Sequence, residues 1–192
     1  MKKILFVLSF ALVSIFSATN TQAITRDGFL IGFDIGPSYM RQNDLWDKGA
    51  GIKNNVFGAA VSFYLGGSFT PQWALMGMLV GAGGPSKNAS GSSDTLSIGF
   101  LGPVAQYAYE RYLLRFGVGF GSAEYSQPDI SVNGNTYHGN DRSGFGGFIS
   151  PVIELYQSEG RFAMDLNMKA IPMATEGGFA MISSLGLGFS WY

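Results

Sequence analysis

Five charged residues lie at alternating positions among apolar ones, and their types could form buried ion pairs. Asp34, Arg115, Glu154, Asp165 and Lys169 each have apolar sequence neighbours. Alternation of period two indicates a β-strand with two unlike faces, and charges away from water are retained only when paired and hydrogen-bonded. We therefore predict that these side chains face a common polar interior. Arg115 and Glu154 should pair on neighbouring strands, with Asp165 and Lys169 continuing the network, and a proton or ion relay is the alternative use.

Nucleophilic catalysis is the other chemistry to consider. It needs a nucleophile within hydrogen-bond reach of a base, most often histidine. The chain has one histidine, His138, which lies in a polar stretch beside Asp141 and Ser143. A histidine in such a loop is usually solvated, so His138 is only a weak catalytic candidate and we predict no enzyme. The absence of cysteine excludes disulfides and thiolate chemistry, and we expect no cofactor or metal.

Eight alternating segments must position the charged residues. They cover about residues 28–40, 56–66, 72–83, 94–109, 112–121, 144–157, 161–174 and 178–192. In most of them the larger residues share an apolar face and the opposite face is small or polar, the inverse of a soluble sheet. Only a lipid solvent makes that inversion favourable. The sequence predicts an all-β protein, an eight-stranded antiparallel up-and-down transmembrane β-barrel.

The alternation shows which side chains face inward more clearly in some segments than in others. The third segment is apolar on both faces, so its register stays open. In the fourth, Leu96, Ile98 and Phe100 are expected to face outward, and a bulge near Pro103 would then turn Gln106 inward. In the sixth, Tyr156 is expected to face inward with Glu154.

The connections between segments alternate between long and short. Residues 41–55, 84–93 and 126–143 form long connections, whereas those near residues 70, 110 and 159 are tight turns. Outer-membrane barrels have short periplasmic turns and longer extracellular loops. The seventh connection is short although it should face outward. Within the longest connection, Asn133 and Gly134 predict a two-residue hairpin turn, whose ribbon could add a strand to a partner.

The first 23 residues have the order of an export signal. Lys2 and Lys3 precede an apolar run from Ile4 to Phe16, and Thr21 and Ala23 occupy the small-residue positions of a cleavage site. We expect residues 1–23 to be removed and residues 24–192 to form one barrel domain. The charged fraction is 13%, against about 25% in soluble domains. The mild negative charge gives no reason to expect nucleic acid as a partner.

The last strand completes a resemblance to a known group. Leu187, Phe189 and Trp191 alternate on one face, and Tyr192 ends the chain. With the signal, the eight strands and the long loops, this ending resembles the small eight-stranded outer-membrane barrels: the OmpA transmembrane domain, OmpX and the opacity proteins. The resemblance implies integral outer-membrane localisation in a Gram-negative envelope. It also implies that the barrel assembly machinery reads these four residues, with Trp191 at the usual terminal aromatic position.

The favoured function is a non-enzymatic barrel that presents surface loops and supports envelope integrity. Its lumen would be filled by side chains, since eight strands leave little space. The loops would meet lipopolysaccharide, host surfaces or other proteins through Trp46, Lys48, Lys53, Tyr137 and Arg142. A narrow channel is the alternative, if the glycine-rich inner faces of the third, fifth and eighth strands leave a water path. A lipid A modifying enzyme and a soluble periplasmic barrel are less favoured; the loop ligand and oligomeric state stay open.

Overall fold

Ten β-strands form the structure, a computed structural model that describes residues 26, 28–44, 55–87, 93–126, 130–132, 135–137, 141–158, 161–175 and 178–192. The strands are β1 (Gly28–Asp44), β2 (Asn55–Ser68), β3 (Trp73–Lys87), β4 (Ser93–Tyr109), β5 (Tyr112–Ser126), β6 (Ile130–Val132), β7 (Asn135–Tyr137), β8 (Asp141–Gln157), β9 (Phe162–Thr175) and β10 (Gly178–Trp191). Within the described residues, no helix is long and apolar enough to cross a membrane. The expected signal, residues 1–23, lies outside them.

Eight of the strands close into one antiparallel barrel. Their order around it is β1-β10-β9-β8-β5-β4-β3-β2, so the predicted eight-stranded antiparallel up-and-down barrel is confirmed. The two short strands β6 and β7 form a separate hairpin in which Val132 is opposite Asn135, as the Asn133–Gly134 turn predicted. The barrel strands have 14 to 17 residues, longer than the ~9 to 11 that a tilted strand needs to cross a bilayer.

The two ends of the barrel differ. We call the end with the tight connections β2–β3, β4–β5 and β8–β9 the turn end, and the opposite end the loop end. Arg26, before β1, and Tyr192, after β10, lie at the turn end. At the tight β4–β5 connection, Glu110 takes a left-handed backbone conformation (φ 55°), which a two-residue hairpin turn demands.

The outer surface is apolar and carries aromatic side chains towards both ends. Side chains near the turn end that are exposed on this surface are Trp73, Tyr107, Tyr109, Tyr112, Tyr156 and Trp191. Those near the loop end are Phe57, Phe120, Phe145 and Phe179. Between these belts lie exposed aliphatic residues such as Leu79 and Leu101. An apolar band between two aromatic belts is the exterior of a transmembrane barrel.

The β4 prediction was wrong. Leu96, Ile98 and Phe100 point into the barrel and are buried. The β3–β4 ladder runs without a shift from Trp73 opposite Tyr107 to Lys87 opposite Ser93, so Pro103 causes no bulge. Alternation identifies the apolar face of a strand but does not say that this face meets lipid, because a dry interior is equally apolar.

The register shift lies instead in β8. The β8–β9 ladder changes its offset between Glu154 and Tyr156. Glu154 faces the lumen as expected, but Tyr156 is exposed on the outside, so its inward placement was wrong. A bulge adds one residue and re-aims the side chains beside it. For β3, the structure decides the open register: Met76 and Met78 are buried inside, whereas Leu75 and Leu79 are exposed.

Candidate functional site

The charged side chains of the lumen gather towards the turn end, and an apolar layer lies towards the loop end. The buried polar and charged side chains towards the turn end are Asp34, Ser62, Gln106, Arg115, Ser150, Glu154, Asp165, Asn167, Lys169 and Ser190, with apolar neighbours such as Leu30, Met76 and Leu113. Towards the loop end the buried side chains are mostly apolar: Met40, Val56, Leu96, Ile98, Phe100, Phe148, Ile171, Met173 and Ile182. The uncharged polar residues Ser38, Gln42 and Ser184 are also buried there. In this apolar layer the rings of Phe100 and Phe148 stack with centroids 6.0 Å apart.

Arg115 is the centre of the polar half. Its Nε donates to Gln106 Oε1 (2.9 Å), and its Nη2 donates to the Tyr64 hydroxyl (3.3 Å). The guanidinium carbon lies 4.4 Å from the centre of the Tyr64 ring, a cation–π distance. Asp165 Oδ2 lies 3.6 Å from Nη2 and supplies the opposite charge. Arg115 thus links β2, β4, β5 and β9 across the lumen.

Lys169 forms a second cluster with residues of β1 and β2. Its Nζ donates to Asp34 Oδ1 and to Ser62 Oγ, the latter at 2.6 Å. Asp34 and Ser62 are direct partners in the β1–β2 ladder, so one ammonium group contacts both. On β9, Asn167 Nδ2 donates to Asp165 Oδ1 (2.9 Å). These contacts give both aspartates a positive partner, as buried carboxylates need.

Glu154 forms the third cluster, at the turn end. Its Oε2 accepts from Arg26 Nη2 and from Gln157 Nε2, and its Oε1 accepts from the Tyr192 hydroxyl (3.2 Å). Arg26 Nη2 also donates to the Glu110 carbonyl oxygen (2.9 Å). Its guanidinium carbon lies 5.9 Å from the centre of the Tyr192 ring.

Two lumen glycines make room for these clusters. A Cβ atom at Gly32 would lie 2.3 Å from Cζ of Tyr64, and one at Gly188 would lie 2.3 Å from Oδ1 of Asp165. No side chain could occupy either position without displacing Tyr64 or Asp165. The small residues on the inner faces of β1 and β10 are therefore the counterparts of the large polar residues opposite them.

All five charged residues singled out from the sequence lie buried in the lumen, but their pairing differs from the expected one. Arg115 is opposite Ser150, not Glu154, and four residues along a strand span about 13 Å. Arg115 therefore pairs with Asp165, and Lys169 pairs with Asp34 rather than with Asp165.

Sequence reasoning did not include Arg26, Tyr64, Gln106 or Tyr192 in this network. The alternation of period two already indicated that Arg26 and Tyr192 face inward. Arg26 has the same parity as Asp34, and Tyr192 has the same parity as Ser190. Arg26 lies outside the first predicted strand, and Tyr192 lies at the end of the last one, where it was assigned to the assembly signal. Tyr192 had been grouped with the assembly signal, but its side chain lies inside the barrel.

The structure describes some of the remaining candidate residues. On β10, Leu187 and Trp191 are exposed outward, and Phe189 stacks on Phe33 of β1 with centroids 5.2 Å apart. Tyr137 lies in β7, and Arg142 lies in β8 opposite Ala123. The other candidates fall outside the described residues: Trp46, Lys48, Lys53 and His138. The described part of the chain contains no group of three or more His, Cys, Asp or Glu residues that could hold a metal ion.

Comparison with known proteins shows a similarity in fold. No protein-family model and no curated protein matches the chain. Among solved structures, the chain is similar to Ail, the attachment invasion locus protein of Yersinia pestis, with 14% identity over 86% of this chain and 99% of Ail (TM-score 0.56). Ail in complex with the heparin analogue sucrose octasulfate gives a TM-score of 0.55 with the same identity and coverage.

A second similar structure is Neisserial surface protein A. It is 11% identical over 84% of this chain and 96% of its own, with a TM-score of 0.51. Such identities concern the fold, and in both cases nearly the whole of the other chain is covered. The group that the C-terminal strand resembled is thereby confirmed at the level of fold: the chain has the fold of the small eight-stranded outer-membrane barrels, and its apolar exterior is that of an integral outer-membrane protein.

Proposed function

We propose that the chain is a non-enzymatic outer-membrane barrel that acts through the surface it presents at its loop end. The observation that carries this proposal is the filled lumen. The charged clusters occupy the part of the lumen towards the turn end, and the apolar layer with Phe100 and Phe148 lies towards the loop end. A lumen filled in this way serves to hold the barrel, which leaves the loops as the part that meets partners.

The filled lumen also argues against the narrow channel. The third strand contributes no continuous inward row of glycines, because Gly77 and Gly81 have outward parity with Leu79 and only Gly84 has inward parity. On β5, Met173 covers Gly121, where a Cβ atom would lie 2.1 Å from Met173 Sδ. On β10, the eighth predicted strand, Asp165 covers Gly188, where a Cβ atom would lie 2.3 Å from Asp165 Oδ1. Glycine does not leave open space at these places, since larger side chains from other strands lie over it.

Conductance tests this conclusion directly. Purified barrel in a planar lipid bilayer is expected to carry no steady ion current, because ions would have to cross the apolar layer without water. A variant in which Phe100 and Phe148 are both replaced by serine removes the two stacked rings and provides the matched comparison. Discrete, long-lived current steps from the unaltered protein would overturn the closed lumen and favour the channel.

The proposal also includes binding partners at the loop end of the barrel. The connection between β1 and β2 carries Trp46, Lys48 and Lys53, and Tyr137 and Arg142 belong to the β5–β8 connection and its end. Basic and aromatic residues together suit anionic carbohydrate, such as lipopolysaccharide or host-surface polysaccharide. They also suit an acidic surface on a protein partner. Ail, which has the same fold, was crystallised with a heparin analogue, and heparin is therefore the probe that we choose.

Binding of vesicles that contain the barrel to immobilised heparin is expected to weaken several-fold when Lys48 and Lys53 are both replaced by alanine. Binding should also fall with added salt, because exposed charges are screened. Arg161 is an exposed basic residue at the turn end. An Arg161→Asn variant keeps a residue that tolerates its left-handed backbone (φ 73°) and should bind like the unaltered protein. Equal binding by the double lysine variant would refute a role for these lysines.

Two further parts of the proposal concern maturation. Removal of residues 1–23 would leave Arg26 close to the new chain start. The outward face of Leu187, Phe189 and Trp191 is available to the barrel assembly machinery, because it lies on the outer surface at the turn end. Catalysis by His138 is not part of the proposal, since a histidine in a polar loop is usually solvated.

A further inference from the structure

The closing seam of the barrel is the ladder between β1 and β10, the first and last barrel strands. Antiparallel pairing runs from Ile31 opposite Trp191 to Ile35 opposite Leu187 and resumes at Ser38 opposite Ser184. The interruption falls at Gly36 and Pro37, and proline has no N–H to donate. The seam has no covalent turn of its own, and its backbone ladder is incomplete.

Side chains inside the lumen bridge this seam. Lys169 on β9 reaches Asp34 on β1, past β10. From the other side, the Tyr64 hydroxyl on β2 lies 3.5 Å from the Phe189 carbonyl oxygen on β10, past β1. Each contact joins strands on opposite sides of the β1–β10 ladder, so opening the seam would break it.

Glu154 holds both ends of the seam at once. Arg26 precedes β1 and Tyr192 follows β10, and each donates a hydrogen bond to a different oxygen of the Glu154 carboxylate. Glu154 lies on β8, two strands away from β10 in the barrel order. Arg26, Glu154 and Tyr192 are all buried, with 5%, 1% and 5% of their surfaces exposed. A buried carboxylate that loses both donors would be left without its charge partner, which is costly.

The residues around Glu154 hold its side chain towards Arg26 and Tyr192. The register shift in β8 lies directly after it, and a bulge re-aims side chains at a barrel rim. Gln157 donates to the same Oε2 that accepts from Arg26. The Tyr192 backbone N–H donates to the Arg161 carbonyl oxygen (3.0 Å), which places the last residue over the turn end of the lumen.

We propose that Glu154 is a lock for the barrel seam: it clasps the residue before the first strand and the residue after the last strand, and so keeps the β1–β10 ladder closed. This role is independent of any loop partner. The device suits a membrane barrel, because an opened seam exposes unpaired N–H and C=O groups that lipid cannot satisfy. It also gives the C-terminal tyrosine an internal role in the closed state.

Site-resolved amide hydrogen exchange of the barrel in lipid nanodiscs tests the lock. In Glu154→Gln, exchange of the amides in the β1–β10 ladder is expected to rise about tenfold or more, since a charge-assisted contact is lost. Exchange in the β3–β4 ladder, which is separated from the β1–β10 ladder by other strands on both sides, should stay within about twofold of the unaltered protein. Tyr192→Phe, which removes only the hydroxyl that Glu154 binds, should give a smaller rise at the same ladder.

Gln106→Ala is the matched control, because Gln106 is a buried polar residue whose partner Arg115 is on the adjacent strand β5. It should not change exchange at the seam selectively. The proposal is overturned if Glu154→Gln leaves seam exchange unchanged or raises it equally in all ladders, since either result would reduce Glu154 to a general stabilising residue. If Glu154→Gln does not fold, Tyr192→Phe and Arg26→Gln are compared with the unaltered protein in the same way. Unchanged exchange at the β1–β10 ladder in both variants would overturn the proposal.

Discussion

Replacing Lys169 with methionine is expected to lower the free energy of unfolding by about 3–5 kcal/mol, the range for breaking a buried ion pair by removing one partner. The replacement keeps an unbranched side chain of similar length but leaves the Asp34 carboxylate without its cation in the lumen. Ser62 loses its contact with Nζ at the same time. Equilibrium unfolding by urea in lipid vesicles, followed by heat-modifiable gel mobility, measures the change.

The double variant Asp34→Asn with Lys169→Met separates charge from packing. It removes both charges, so it should recover a large part of the stability that Lys169→Met loses, because the main cost of the single variant is the unpaired carboxylate. A loss below about 1 kcal/mol in Lys169→Met would contradict a desolvated pair and would mean that water enters this half of the lumen.

Replacing Leu79 with arginine is expected to lower the free energy of unfolding by about 2–4 kcal/mol, the cost of a cation on the lipid-facing side of a barrel near the middle of the bilayer. Leu79 is 52% exposed and lies on β3 six positions after Trp73, well inside the belt of aromatic residues at the turn end. In a soluble barrel the same exposed position would accept arginine at almost no cost.

Leu79→Met is the control for this substitution, since it keeps an apolar side chain of similar volume and should cost less than about 1.5 kcal/mol. The same urea titration in vesicles gives both values. If Leu79→Arg were as stable as Leu79→Met, the outer surface of β3 would not be in contact with lipid, and the transmembrane orientation of the barrel would have to be rejected.

Much of the fold could be predicted from alternation where the two faces of a strand differ. In β9, Ala163, Asp165, Asn167 and Lys169 were expected to share the inner face, and all four are buried, whereas Met168 is exposed. Charges at every second position leave one arrangement that avoids placing them in lipid. Asp34 on β1 is buried in the lumen for the same reason.

Alternation does not identify the inner face of a strand where the lipid and the facing part of the lumen are both apolar. Leu96, Ile98 and Phe100 of β4 were assigned to lipid, but they form part of the apolar layer inside the barrel. Transfer from lipid to a dry protein interior changes the environment of an apolar side chain very little. Local sequence therefore does not distinguish the two faces of β4. Gln106 shares a face with Leu96, Ile98 and Phe100 and is 1% exposed, so this face lies inside the barrel.

By itself, the sequence determined that this chain is a set of long amphipathic strands with a polar inner face, because period two and the placement of charges are local properties. Only the tertiary structure decided which charges meet. Arg115 pairs with Asp165, Lys169 with Asp34, and Glu154 with Arg26, since closure and stagger of the strands bring together residues far apart in the chain. The contacts of Glu154 with both Arg26 and Tyr192 exist only once the barrel is closed.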